Sequence, residues 1–416
     1  MSTSAIIIGG GIIGLSSAYY LQKAGWQVSV IDRGDLSNNC SSGNAGYICP
    51  SHFTPLAAPG IISQGLKWML DSRSPFYIKP RLSLSLVQWG LAFMRSATQS
   101  HVDRSAAPLR DISLLSMACY QEWQNSGEFP FFFRHDGMLE LFHTQENARH
   151  ARHTVEMAHQ LGLDAEWLTA EQVQDLEPDV TCDTRGGVWF KCDAHVNPAE
   201  LMKNLANYLT SKGAHIIDNE SVVNFIKQNN RIQKIITTRN SYDVDLVVLA
   251  AGAWSRELAK GLSIKLPMVA GRGYSFVKPL QDYPFRHPLI LTEGRVAITP
   301  MQDQVRFGGT MEITSTNAPP RYKRVEGIVQ SVRHFFPGIE LKTPADADIW
   351  YGYRPCSADG LPYIGHLPGF DNAIAATGHA MLGLSLGAAT GLLVSQIANE
   401  QQPSVDLQPF EPGRFA

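Results

Sequence analysis

Three glycines and an acid hold the first recognisable chemistry of this chain. They stand as Gly9-x-Gly11-x-x-Gly14, with Asp32 further on. In that spacing the first glycine permits a tight turn. The second lets backbone approach a pyrophosphate, and the third lets a helix lie close on the preceding strand. A helix starting there offers unpaired N–H groups and the positive end of its dipole to phosphate. Asp32 is placed to accept hydrogen bonds from ribose hydroxyls. The chemistry implied is the grip of a dinucleotide, with Gly9, Gly11 and Gly14 at the phosphates, Asp32 at the ribose, and Ile12, Ile13 and Arg33 as further cofactor-binding candidates. The motif alone does not separate NAD from FAD, because both present an ADP half.

The second stretch is CSSGNAGYIC, residues 40–49. It is poor in core-building side chains, so it reads as a turn, a metal loop or a backbone shaped around a ligand. The six cysteines are Cys40, Cys49, Cys119, Cys182, Cys192 and Cys356, and none forms a C-x-x-C pair. Six reduced thiols are expected, so neither a disulfide nor a zinc site is expected at Cys40 and Cys49, and no metal is predicted. The third stretch is Gly378-His379-Ala380-Met381-Leu382. It follows the apolar run 373–376 and precedes a small-residue helix, predicted over 381–398. This is a second strand–turn–helix with a dipole end aimed at a ligand. The glycines at 383, 387 and 391 repeat every four residues, a pattern also seen between membrane helices. The break at Thr377-Gly378-His379 argues against a span.

These sites need elements to hold them. Residues 5–8 form a short β-branched run typical of a buried parallel strand. Ile12, Leu15 and Tyr19 fall at helical spacing, Gly25 ends the helix, and 28–31 form the next strand. A helix is predicted from Pro198, capped by Asn197. Two alternating segments then read as a small meander, followed by a buried strand that leads into Ala250, Gly252 and Trp254. The fold class is therefore α/β, or α+β over the whole chain. A Rossmann-like domain is assembled from discontinuous segments, 1–49, 150–262 and 346–416. A second domain with an antiparallel sheet and helices is inserted as 50–149 and 263–345.

At 416 residues, 44% hydrophobic and net charge −3, the chain can bury a large core and does not suggest a nucleic-acid partner. The start, MSTSAIIIGGG, enters a strand at once without a basic leader region. A cytoplasmic protein is expected, with contact at the inner face of the cell membrane as an option.

Five stretches occur in order: the Gly9 fingerprint, SSGNAG (41–46), LAAGAWS (249–255), YGYRPCSADGLPYIG (351–365) and GHAMLGLSLG (378–387). Together they resemble the FAD-dependent D-amino acid oxidase and glycine oxidase superfamily over nearly the whole chain. Residues 55–75 further resemble bacterial D-amino acid dehydrogenases. The resemblance implies FAD as cofactor and an amino acid as substrate. Ser41, Ser42, Asn44, Ala45 and Gly46 would lie along the flavin, and Val222 would meet the adenine through its backbone. Arg354 would grip the substrate carboxylate with two parallel hydrogen bonds. Its structural alternative is an ion pair with Asp359.

Tyr274 reads either as a second carboxylate contact or lid, or as a core aromatic. His52 follows the flavin loop and is a pocket candidate, although a lone histidine is more often structural. For His379 the backbone matters more than the ring. Cys356 raises the idea of a covalent flavin, but a small thiol packed beside Pro355 explains it equally. Trp68, Met69, Trp89 and Phe93 lie in apolar, partly basic stretches. They read as core of the inserted domain, or as a surface resting on a membrane that passes electrons to a quinone. The electron acceptor is left open among a quinone, O2 and an electron-transfer protein. The activity implied is oxidative deamination of D-amino acids by hydride transfer from Cα to flavin N5, giving an imino acid, then a 2-oxo acid and ammonia. Alternatives are a D-hydroxyproline or D-proline dehydrogenase and a sarcosine- or glycine-type oxidase. A non-catalytic flavin-binding subunit is a reading of a different class, and such a subunit has no need of the Arg354 motif.

Overall fold

The computed structural model describes residues 3–37, 39–60, 76–79 and 83–415. Two large sheets organise them. In the first, the strands His215–Ile217, Gln27–Ile31, Ser4–Ile8, Leu246–Leu249 and Ala373–Thr377 lie side by side in parallel. Tyr363–His366 closes one edge antiparallel. Ile6, Ile7 and Ile8 are all buried, as expected where both faces of a parallel sheet are covered. The meander forms as a separate three-stranded sheet of Val222–Gln228, Arg231–Thr237 and Ser241–Asp243.

The helix Ile12–Lys23 follows the first strand and packs against the helix Gly387–Ala398. A Cβ on Gly391 would stand 2.4 Å from the backbone carbon of Ser16. The small-residue repeat thus serves helix packing inside the protein. No described helix is long and apolar enough to cross a membrane.

The second sheet runs in the order Trp350–Ser357, Met268–Pro279, Gln304–Ile313, Val296–Met301, Leu289–Leu291, Met138–Phe142, Gly186–Phe190 and Ala165–Leu168, with Phe76–Ile78 beside Gln304–Ile313. Most neighbours are antiparallel. The helix Val325–Phe335 covers one face and buries Ile328, Val329, Val332 and Phe335. They meet Leu289, Ile298 and Phe307 in one apolar cluster.

Sheet membership departs from the expected segment boundaries. Residues 165–168 and 186–190 join the second sheet, as does Trp350–Ser357. Conversely, the helix Gln99–Ser126 packs on Gly387–Ala398, and the Tyr120 hydroxyl donates to the Leu384 carbonyl at 2.8 Å. A short apolar strand carries no local mark of the sheet that will receive it; distant partners decide.

The helix predicted from Met381 is also displaced. Ala380 has φ +48°, residues 380–382 form a 3-10 turn, and the α-helix begins at Gly387. The Leu382 N–H is taken up by the His379 carbonyl. Trp89 and Phe93 belong to the helix Leu84–Ser96, are buried, and stack at 4.9 Å. Trp68 and Met69 lie outside the described residues.

Candidate active site

A cavity of about 1440 Å³ reaches from the carboxyl ends of the parallel strands to the second sheet. At the parallel sheet its wall is the glycine turn. Gly9 has φ +113°, and a Cβ on Gly14 would stand 1.8 Å from the Gly9 carbonyl oxygen. Gly9, Gly11, Ile12 and Ile13 line the cavity, whereas Gly14 stands behind it and sets the strand–helix distance. Asp32 lines it too. Its carboxylate accepts from Gly10 N–H at 2.6 Å and Gly34 N–H at 2.8 Å, which holds the turn in shape. The Arg33 guanidinium lies 4.6 Å from the Trp254 ring. Both reach the cavity, together with Val222, Ala250 and Gly252.

Loop 41–46 forms the next part of the wall. Ser41, Asn44 and Ala45 line it, and the Ser41 hydroxyl accepts from Ile12 N–H at 3.0 Å. Ser42 and Gly46 stand behind. The Ser42 hydroxyl donates to Asn39 at 3.3 Å, and Gly46 takes φ +93° against the Val196 carbonyl. The loop is pinned from below by Arg306, absent from the sequence reading. Its buried guanidinium donates to the Ser42 carbonyl at 3.1 Å and to the Asn44 carbonyl. Burial among neutral carbonyls pulls its pKa down to about 10. Ser275 adds a bond from its hydroxyl to the Gly43 carbonyl at 3.0 Å. No local pattern marks these two residues, because they sit on strands more than 230 residues away.

The third part of the wall is the turn 379–382. His379, Ala380, Met381 and Leu382 line the cavity, while Gly378 (φ +79°) packs against the Tyr363 ring behind it. The His379 ring turns inward, with Nε2 3.0 Å from the Thr390 hydroxyl. Burial depresses its pKa to about 3.

Arg354 rises into the cavity from the strand Trp350–Ser357. Its guanidinium lies on Gly273 of the adjacent strand, where a Cβ would come within 2.2 Å. A register shift between Arg272 and Tyr274 interrupts pairing with Gln304–Ile313 at this point, and Thr310 there takes φ +62°. The irregularity brings the Thr310 carbonyl to 2.7 Å from Arg354 Nη1. Among the described residues Arg354 has no acidic partner. Asp359, the expected alternative, pairs instead with Arg414 through bonds of 2.7 and 3.0 Å. Burial lowers the Arg354 pKa.

Tyr274 has a different duty from a carboxylate contact. Its ring edges the cavity, but the hydroxyl donates to Glu312 at 3.0 Å and accepts from Arg321 N–H at 2.8 Å. Arg272 and Glu312, both fully buried, complete this network. It stiffens the strand behind Arg354. Cys356 is fully buried and does not line the cavity, and burial pushes its thiol up to about 12. His52 does line it. All six cysteines are free, and Cys40 accepts from Tyr353 N–H through sulfur.

The site thus joins the glycine turn, the small-residue loop 41–46 and the Arg354 guanidinium, which has no acidic partner among the described residues. The family model for FAD dependent oxidoreductases matches residues 4–397. The chain belongs to this family. The wall of glycine turn, small-residue loop and 379–382 turn fits FAD, since side chains on Gly9 or Gly14 would strike backbone in the cradle. A D-amino acid dehydrogenase of Helicobacter pylori is 30% identical over 412 residues, 98% of each chain. One from Vibrio vulnificus is 29% identical over 405 residues, 96% of each chain. Among solved structures, a glycine oxidase from Geobacillus kaustophilus superposes with TM-score 0.77 at 22% identity over the whole of both chains. An L-proline dehydrogenase from P. horikoshii gives 0.74 at 18%, covering 100% of this chain and 98% of its own.

Proposed function

We propose that this FAD-dependent oxidoreductase oxidises the Cα–N bond of a D-amino acid whose carboxylate is held by Arg354. The observation that carries the reading is the half-buried Arg354 guanidinium, open to the cavity and without an acidic partner among the described residues. An unpaired cation partly withdrawn from water is costly to keep. A carboxylate ligand would supply the missing charge through the fork of two parallel bonds. The substrate class is supported by the relatives named D-amino acid dehydrogenase.

In this reading Gly9, Gly11, Ile12, Ile13, Asp32, Arg33, Val222, Ala250, Gly252 and Trp254 hold the ADP half of FAD. Ser41, Asn44, Ala45 and the turn 379–382 face its flavin, with Gly14, Ser42, Gly46 and Gly378 shaping those segments. FAD, when bound, supplies the acceptor for the hydride that leaves Cα. Arg354 fixes the carboxylate and hence the direction of the Cα–H bond, while Gly273 leaves room for the guanidinium. The imino acid product hydrolyses in water to a 2-oxo acid and ammonia. The parallel sheet serves the cofactor and the second sheet the substrate.

The helix Leu84–Ser96 supports a further element. Leu84, Val87, Leu91 and Met94 are exposed at helical spacing, opposite buried Trp89 and Phe93. This apolar face suits peripheral contact with a membrane, where a quinone would take the electrons. A Leu84→Ser/Leu91→Ser variant should move from the membrane fraction to the supernatant; unchanged partitioning would remove the contact.

The decisive experiment is anaerobic bleaching of the flavin spectrum by a panel of D- and L-amino acids, including D-proline, hydroxyprolines, sarcosine and glycine. Bleaching by D-amino acids is expected. A yellow protein that none of them bleaches would overturn the reading.

A further inference from the structure

Behind His52 lies a buried chain of hydrogen bonds that the reaction above does not use. Asp193 is fully buried. One of its carboxylate oxygens accepts from Ser51 N–H at 3.0 Å, the other from the Ser51 hydroxyl at 2.5 Å. The same hydroxyl oxygen lies 3.0 Å from His52 Nδ1. His52 lines the cavity, and among the described residues its Nε2 meets no hydrogen-bond partner.

We propose that Asp193, Ser51 and His52 form a proton relay, in which His52 Nε2 takes the ammonium proton of the substrate. The proposal rests on the amino-acid reading above. The bonding order fixes the direction. The Ser51 hydroxyl donates to Asp193 when that carboxyl is ionised, as it is above the pKa of about 7 to which burial raises it, so the hydroxyl proton points to Asp193. The Ser51 lone pair then accepts from His52 Nδ1–H, which leaves the Nε2 lone pair facing the cavity. His52 is the catalytic residue; Ser51 and Asp193 are positioning residues that set its tautomer and offset its positive charge.

In the step, one N–H bond of the ammonium breaks, its electron pair stays on nitrogen, and the proton joins Nε2. The nitrogen lone pair freed in this way closes the C=N bond as the Cα hydride departs to the oxidant named above. The imidazolium then returns its proton to water.

The titratable and charged groups around His52 are Arg295, Glu140, Cys49 and, through Ser51, Asp193. Burial, then the Arg295 charge, keeps the imidazole neutral at neutral pH and so able to accept. The same desolvation and the Arg354 charge make a bound ammonium more acidic than in water. A metal is the competing use, because ligand atoms of Cys49, His52 and Asp193 lie within 4.8 Å of one another. Both Asp193 oxygens are already occupied by Ser51, and Cys192 Sγ adds a third donor, so the geometry favours the relay.

The test uses FAD-loaded protein. His52→Gln should lower kcat/KM at neutral pH about 100-fold and move its acid limb upward. Ser51→Ala should move the limb the same way with a loss of about tenfold; it also serves as the second variant where His52→Gln does not retain FAD. Independently of turnover, 15N-histidine spectra are recorded with 2-methylalanine, which has no Cα–H to transfer. The resonance pair missing in His52→Gln should change from a neutral Nδ1–H imidazole to an imidazolium on binding. A wild-type enzyme that bleaches with amino acids, while the variants keep its pH profile and His52 stays neutral, overturns the relay alone. A wild-type flavin that no amino acid bleaches overturns the substrate reading, and the relay with it. One equivalent of metal, lost in Cys49→Ser together with activity, replaces the relay by a metal site.

Discussion

Arg354 and Tyr274 line the same cavity from adjacent strands and show how differently two polar residues are kept. Arg354 is a half-buried cation with one carbonyl acceptor. Its desolvation is uncompensated in the ligand-free fold, so Arg354→Met should leave the melting temperature unchanged or raise it, while kcat/KM falls by about 100-fold or more. A melting temperature several degrees lower, or intact kcat/KM, would contradict this. Tyr274 shows the reverse. Its hydroxyl joins Glu312, Arg272 and Arg321 in a closed network. Tyr274→Phe should therefore cost about 1–3 kcal/mol of unfolding free energy, because it leaves buried groups short of a partner, with little change in KM. Denaturant midpoints and steady-state rates separate the two effects. The motif around Arg354 was readable through its resemblance to the family's pattern. The network around Tyr274 was not, because Glu312 and Arg321 come from elsewhere in the chain.

Among elements, the pair Ile12–Lys23 and Gly387–Ala398 carries the sharpest constraint. The two helices meet where Gly391 faces Ser16 and Gly387 faces Ile12. Gly391→Val would drive the helices apart and tilt the glycine turn at the start of the first helix. Loss of more than 1–3 kcal/mol is expected, since the obstructing atoms are backbone and cannot rotate away. FAD content after purification should fall in parallel; retention of full FAD content would show that the turn is independent of this packing. The first strand, turn and helix were legible because their pattern is local: a β-branched run, three glycines, a 3.6-residue repeat. The turn at 380–382 was not, since nothing local in the small-residue run 381–398 marks that its α-helix starts only at Gly387.

At the scale of the molecule, burial of titratable groups sets the response to pH. His52 and His195 are depressed to about 4 and His379 to about 3, while Asp193 and Glu140 are raised to about 7, in each case chiefly by desolvation. A depressed histidine favours the fold above its usual 6.5 and loses that contribution as pH falls toward 4. A raised carboxyl acts oppositely: its contribution is present below about 4 and is lost as pH rises to 7. Between these limits three histidines outweigh two carboxyls, so stability rises with pH; above 6.5 only the carboxyls still titrate, and it declines. Maximum stability near pH 6.5 is expected. Urea midpoints at about pH 5, 6.5 and 8 check it, and a highest midpoint at pH 5 would refute the balance.

The amino-acid sequence by itself determined the dinucleotide turn and carried each of the motifs by which it resembles its family; the carboxylate role of Arg354 is what that resemblance implies. Each single motif depends on residues close together in the chain, where backbone geometry follows from residue type. Only the tertiary structure decided that Asp359 belongs to Arg414 and leaves Arg354 open, that Arg306 pins the loop 41–46, and that Asp193 stands behind Ser51 and His52. Those arrangements arise from contacts between segments more than 50 residues apart, which no local pattern encodes.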